Sequence, residues 1–216
     1  MRAVIAIDGP AGAGKSTLAR SLALVLGLPY VNTGTMYRAL ALRAAREGVD
    51  ADDGPALEAL ALTIRFDLDS TVRPPALAID GRPPEDALTS PEVESTVSRV
   101  ARHPEVRAVL RDEQRRLGAA GAVMEGRDIG TVVAPDAVLK VFLEAHPEER
   151  VERRAHERAA RAKEVAEALE TRDALDARTN PLQPALDAIA VDTTDLDADE
   201  VLARVVQLAR QRGLAS

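Results

Sequence analysis

The chain of 216 residues contains no cysteine and no tryptophan. The lack of cysteine excludes disulfides and thiolate metal sites, and it suits a reducing compartment. Aromatic residues are 2% of the sequence while hydrophobic residues are 46%, so the core must be packed from Ala, Val, Leu and Ile. No apolar run approaches the roughly 20 residues that span a bilayer, so no membrane partner is expected. The first residues run straight into an apolar strand pattern, which leaves no room for a removable leader and points to the cytoplasm. Lysine is scarce as well: Lys15, Lys140 and Lys163 are the only ones, and every other basic residue besides histidine is arginine. The net charge of −7 lacks the basic surface that nucleic-acid binding requires, so no nucleic-acid partner is expected. His103, His146 and His156 have no metal-ligand spacing.

What is present begins at the N-terminus. Gly9, Pro10, Ala11, Gly12, Ala13, Gly14, Lys15, Ser16 and Thr17 fill every position of the G-x-x-x-x-G-K-[ST] pattern. The apolar run Ala3–Ile7 precedes it and a helical spacing, Leu18–Ala23, follows. Strand, glycine loop and helix together make a phosphate cradle. Backbone N–H groups turn inward, and the helix N-terminus adds unpaired N–H groups and the positive end of its dipole. Lys15 would reach the β- and γ-phosphates, and the Ser16 hydroxyl would join the shell of a Mg²⁺ ion. The loop therefore indicates a nucleoside triphosphate and leaves the phosphate acceptor open.

The rest of the chain alternates strands with helices. Extended segments are expected at Tyr30-Val31, Ala122–Met124, Val138–Leu143 and Ala188–Val191. Helices are expected over Met36–Glu47, Ala56–Thr63, Pro104–Leu117, Pro147–Arg178 and Ala198–Arg212, the last boxed by Asp197 and Glu200. Between them, Ile64–Leu68 alternates apolar and charged residues as a half-exposed strand does, and Ala76–Ile79 is a second strand that ends at the Asp80-Gly81 turn, with a third extended piece at Asp86–Leu88 in a small antiparallel patch. Thr89 and Glu92 have capping-box spacing ahead of a further helix. This pattern gives an α/β fold: a doubly wound parallel sheet with helices on both faces and a small antiparallel insert. One domain over 1–216 is expected, with its core at 1–60, 104–147 and 181–216, the insert at about 61–103 and a densely charged helical segment at about 148–180.

In such a fold, ligands sit at the carboxyl ends of the strands. There the sequence delivers Asn32–Arg38 after one strand and Glu125-Gly126-Arg127-Asp128 after another. Arg38 and Arg127 are placed to fork onto a second phosphate. Glu125 is placed either to hold a water in the Mg²⁺ shell or to serve the fold alone. An Asn-Lys-x-Asp guanine-reading motif is missing, which disfavours a GTPase-type switch.

These segments resemble the bacterial cytidylate kinases, a branch of the nucleoside monophosphate kinases. The resemblance runs through Ile7–Pro10, Thr33–Arg38, Glu92–Ser98, Val106-Arg107, Glu125–Val133, Arg172-Asp173 and Asp187–Thr194, in order and over nearly the whole length. It implies transfer of the ATP γ-phosphoryl group to CMP or dCMP by an enzyme that is commonly monomeric. By the same resemblance, Arg38 and Arg127 would clamp the CMP phosphate, with Thr33 beside them, and Ser98, Arg107 and Asp128 would read cytosine. Arg172 and Asp176 would hold the ribose and the closed state, with Arg178 standing in for a further arginine of the family's CMP site. The arginine-rich helical segment at about 148–180 would be a helical lid, from which Arg154, with Arg158 or Arg161, would close. Two features differ from the family pattern: Asp176–Leu182 is shorter, and Leu88-Thr89 stands where relatives often carry an arginine. Kinases of the same architecture that act on UMP, AMP or shikimate are the nearest alternative.

Overall fold

A computed structural model describes residues 3–158, 166–167, 170–171, 174 and 182–214. Within it, the strands β1 (Val4–Asp8), β2 (Tyr30–Asn32), β3 (Phe66–Asp69), β4 (Ala76–Ile79), β5 (Ala122–Gly126), β6 (Leu139–Glu144) and β7 (Ile189–Asp192) form one sheet. Their order is β3-β4-β2-β5-β1-β6-β7. All neighbours are parallel except β3 and β4. The helices are α1 (Lys15–Leu26), α2 (Thr33–Glu47), α3 (Gly54–Ala61), α4 (Pro91–Ala101), α5 (Pro104–Gly118), α6 (Pro147–Arg158) and α7 (Ala198–Gln211).

The strand period of two sorts the core into two faces. Ile5 and Ile7 of β1, Val123 of β5 and Leu139, Val141 and Leu143 of β6 point to the side covered by α1 and α7. Ala6, Val31, Ala122 and Met124 point to the opposite side, with α2, α3, α4 and α5. The few aromatics play unequal parts: Phe66 is fully buried in the second cluster, and Tyr30 is packed in the first. As expected from its spacing, α7 starts in a capping box. The Asp197 carboxylate accepts from the backbone of Asp199 and Glu200, and the Asp197 N–H donates to Glu200 Oε2 at 2.9 Å.

Three local expectations differ from the structure. The segment Asp86–Thr89 is a 3₁₀ turn rather than a strand, because Leu88 N–H closes onto Glu85 O at 3.1 Å and its side chain is buried. Ser90 caps α4 in place of Thr89, accepting from Val93 N–H at 3.4 Å, while the Thr89 hydroxyl turns back onto Asp86 O. The antiparallel pair β3–β4 continues the main sheet, since β4 lies parallel to β2 with Ala76 opposite Tyr30. A chain that returns through a long turn can add its second strand to the sheet edge in either sense, and the sequence pattern does not choose.

Register positions the site. Asp8 lies opposite Gly126, and Asn32 lies opposite Glu125. The carboxyl ends of β1, β2 and β5 are therefore level, and the loops that leave them open into one crevice.

Candidate active site

The phosphate loop joins β1 to α1 as its sequence implies. Gly9 has φ +148°, and a Cβ there would lie 2.4 Å from Leu143 O, so the loop can pass β6 only with glycine at this point. Gly12 has φ +78°, with Arg150 O 2.8 Å from where a Cβ would be. The first turn of α6 thus lies directly on the loop, and Arg150 also donates to Ala11 O at 3.1 Å. The Lys15 ammonium folds back onto Pro10 O at 2.7 Å.

Behind the loop stands a buried carboxylate relay. Glu125, 3% exposed, accepts from Ser16 Oγ at 2.9 Å on one oxygen and from the Tyr30 hydroxyl on the other. Asn32 Nδ2 donates to the Tyr30 oxygen at 3.2 Å, and Thr33 Oγ1 donates to the Glu125 carbonyl at 2.8 Å. Burial, followed by the Glu125 charge, pushes the Tyr30 hydroxyl well above the usual phenol range, so it stays a donor. Glu125 therefore has a structural partner and also faces the site through Ser16.

Asp8 anchors the second loop. Its two carboxylate oxygens accept from Ile129 N–H at 2.9 Å and Gly130 N–H at 2.8 Å. These residues begin a single π-helical turn, Ile129–Val133, directly after Arg127 and Asp128. Burial raises the Asp8 carboxyl from 3.8 to about 6, against the opposing pull of the two N–H groups. The loop thus hangs from the end of β1, and Arg127 reaches back to Gly9 O at 3.1 Å.

The arginines fall into two groups. Arg107 of α5 meets Asp128 at 2.8 Å, with side chains 12% and 16% exposed, and Arg111 approaches the same oxygen at 3.7 Å. Arg38 of α2 meets Glu94 of α4 at 2.9 Å, and Arg154 of α6 meets the same Glu94 oxygen at 3.5 Å. One cleft is lined by Lys15, Ser16 and Thr17 at one side and by Thr33, Arg38, Ser98, Arg107, Arg127, Asp128 and Arg154 elsewhere on its wall. Gly9, Pro10 and Ala13 support the loop from outside that lining, whereas Ala11, Gly12 and Gly14 belong to it. The Arg158 side chain, Arg161, Arg172, Asp176 and Arg178 lie outside the described residues.

Sequence reasoning missed Asp8, Tyr30, Glu94 and Arg150. Asp8 ends the apolar run of β1, but its burial and its partners Ile129 and Gly130 arise only in the fold. Glu94 carries no signal, being one of several acidic residues in a charged helix. Among the described residues, no three His, Asp or Glu side chains group to hold a metal, and no helix is long and apolar enough to cross a membrane.

Comparison with known proteins bears on the family and the fold. The family model "Cytidylate kinase" matches residues 5–211. The chain is 45% identical to a cytidylate kinase of Pelotomaculum thermopropionicum, covering 94% of this chain and 93% of that one. It is 46% identical to a cytidylate kinase of Exiguobacterium sibiricum, with 95% and 96% covered. A solved structure of an uncharacterized protein from Eubacterium ventriosum shares the fold at 11% identity and a TM-score of 0.52, covering 97% of this chain and 99% of that one. With the phosphate loop, the arginine-lined cleft and this match over almost the full length, the chain belongs to the cytidylate kinase family.

Proposed function

We propose that this protein transfers the γ-phosphoryl group of ATP to CMP or dCMP, yielding ADP and the cytidine diphosphate. The observation that carries the reading is one cleft lined both by Lys15 and Ser16 and by the Arg107–Asp128 pair. The first two suit a triphosphate, and the pair suits cytosine. Cytosine offers an acceptor at N3 and donors at its exocyclic amine, so Arg107 donates to the ring and Asp128 accepts from the amine. Uracil reverses both positions and would leave buried polar groups unpaired, each costing roughly 1–3 kcal/mol. Ser98 adds a hydroxyl on the same wall.

Phosphoryl transfer asks for two anionic phosphates held in line and for their charge to be offset. ATP and CMP together carry about six negative charges at neutral pH. Lys15 and the α1 N-terminus take the donor phosphates, and Arg38 and Arg127 take the acceptor phosphate. Arg154 contributes from α6, and the segment at about 148–180 acts as the lid, while about 61–103 supplies the acceptor wall. Arg158, Arg161, Arg172, Asp176 and Arg178 complete the set by resemblance. Ser16 and, through water, Glu125 would hold Mg²⁺, whose charge offsets part of that on the donor. Two oxygen donors 2.9 Å apart, without a protein-only ligand cluster among the described residues, fit an ion that keeps waters and substrate phosphates in its shell. Closure of the lid over the cleft excludes water and suppresses ATP hydrolysis. The enzyme works as a monomer in the cytoplasm.

The test is ADP release with ATP and, separately, CMP, dCMP, UMP, AMP and shikimate. CMP and dCMP should give rapid release. Faster release with AMP or shikimate than with either would overturn the reading.

A further inference from the structure

Glu94 stands out because nothing in the cleft chemistry above calls for an anion beside the acceptor phosphate. It lies on α4, its side chain is 12% exposed, and one of its oxygens meets guanidinium groups from two other helices. Arg38 comes from α2, which leaves the end of β2, and its Nε lies 2.9 Å away. Arg154 comes from α6, which lies on the phosphate loop, and its Nη2 lies 3.5 Å away. Both arginines also line the cleft, whereas Glu94 does not.

Two guanidinium groups brought to one wall of a partly buried cleft repel each other and would splay apart when no phosphate is bound. A shared carboxylate behind them offsets that repulsion. A hydrogen bond at Nε also fixes the plane of the Arg38 guanidinium. The Nη1 atom of Arg38 then lies close over Gly34, 3.0 Å from where a Cβ would stand, so the group is held against the start of α2.

We propose that Glu94 is a positioning residue for the acceptor phosphate: its single oxygen sets Arg38 and Arg154 at one spacing before the acceptor arrives, and so couples α4 and α6 to α2. The inference rests on the reading of the cleft as a CMP site. Glu94 acts on the acceptor phosphate through Arg38 and Arg154.

The experiment compares wild type, Glu94→Gln, Glu94→Ala, Arg154→Ala and the double variant Glu94→Ala/Arg154→Ala, with CMP and ATP varied separately. Wild type that fails to phosphorylate CMP overturns the functional reading itself. With an active wild type, Glu94→Ala should lower kcat/KM for CMP at least tenfold while KM for ATP stays within twofold. Glu94→Gln keeps an oxygen for Arg38 Nε and should lose less, and it carries the test if the alanine variant does not fold. On the Arg154→Ala background, Glu94→Ala should cost markedly less than it does alone, because part of its action passes through Arg154. Full multiplication of the two effects, or equal loss for CMP and ATP, would mark a merely structural side chain. A lower KM for CMP in Glu94→Gln would show an anion that only repels the phosphate, and either result overturns the proposal.

Discussion

Replacing Asp8 by asparagine removes one titrating proton from beneath the loop that carries Arg127 and Asp128. In the folded protein, burial raises this carboxyl to about 6, against 3.8 in the open chain. At about 1.4 kcal/mol per pH unit, that gap corresponds to about 3 kcal/mol. The sign follows from which state holds the proton. Below 3.8 both folded and unfolded chains are protonated and burial costs nothing extra. As pH rises toward 6 the unfolded chain releases its proton first, and the folded state loses its advantage until both are ionised. Asparagine does not titrate. It also turns an N–H toward Ile129 N–H or Gly130 N–H, a pH-independent loss of about 1–3 kcal/mol. The stability of wild type relative to Asp8→Asn should therefore fall by about 2 kcal/mol between pH 4.5 and 7.5, the rest of the change lying at lower pH. Urea unfolding of both proteins at the two pH values measures this, and a carboxyl carbon NMR titration locates the midpoint directly. Parallel stability curves, or a midpoint at or below 3.8, would refute the burial argument.

Three further outcomes follow from the same geometry. Lys15→Ala should lower turnover by about two to three orders of magnitude or more with an unchanged melting temperature, checked by ADP release and thermal unfolding. Gly9→Ala places a Cβ 2.4 Å from Leu143 O at a positive φ, and denaturant unfolding should show a loss of about 2–4 kcal/mol. Tyr30→Phe removes the hydroxyl between Asn32 and Glu125, so stability should fall by about 1–2 kcal/mol. The same variant should need more Mg²⁺ for half-maximal rate, as a Mg²⁺ titration of activity would show.

Much of this molecule is legible in the sequence because local chemistry decides it. The glycine loop, the Asp197–Glu200 box and the short apolar runs of β1, β5 and β6 each state their own conformation, and tertiary packing agrees with them. The antiparallel pair is legible as two strands, but its attachment to β2 is a long-range choice that no local pattern encodes. Asp86–Thr89 misleads because one buried Leu88 among polar neighbours suits a 3₁₀ turn as well as a short strand. In the site, Arg38, Arg127, Arg107 and Asp128 are found from motif position. What each side chain meets is set by strand register and helix packing, so Glu94 and Asp8 emerge only when elements far apart in the chain are brought together.

Cytosine reading by Arg107 and Asp128 is the core of the proposed function. Its direct test is the ratio of kcat/KM for CMP to that for UMP at saturating ATP, in wild type and in Asp128→Ala. The ratio should be at least about tenfold in wild type, from roughly 1–3 kcal/mol per unpaired group. In the variant it should collapse toward one, with KM for ATP unchanged. A wild-type ratio near one, or an equal ratio in both proteins, would contradict it.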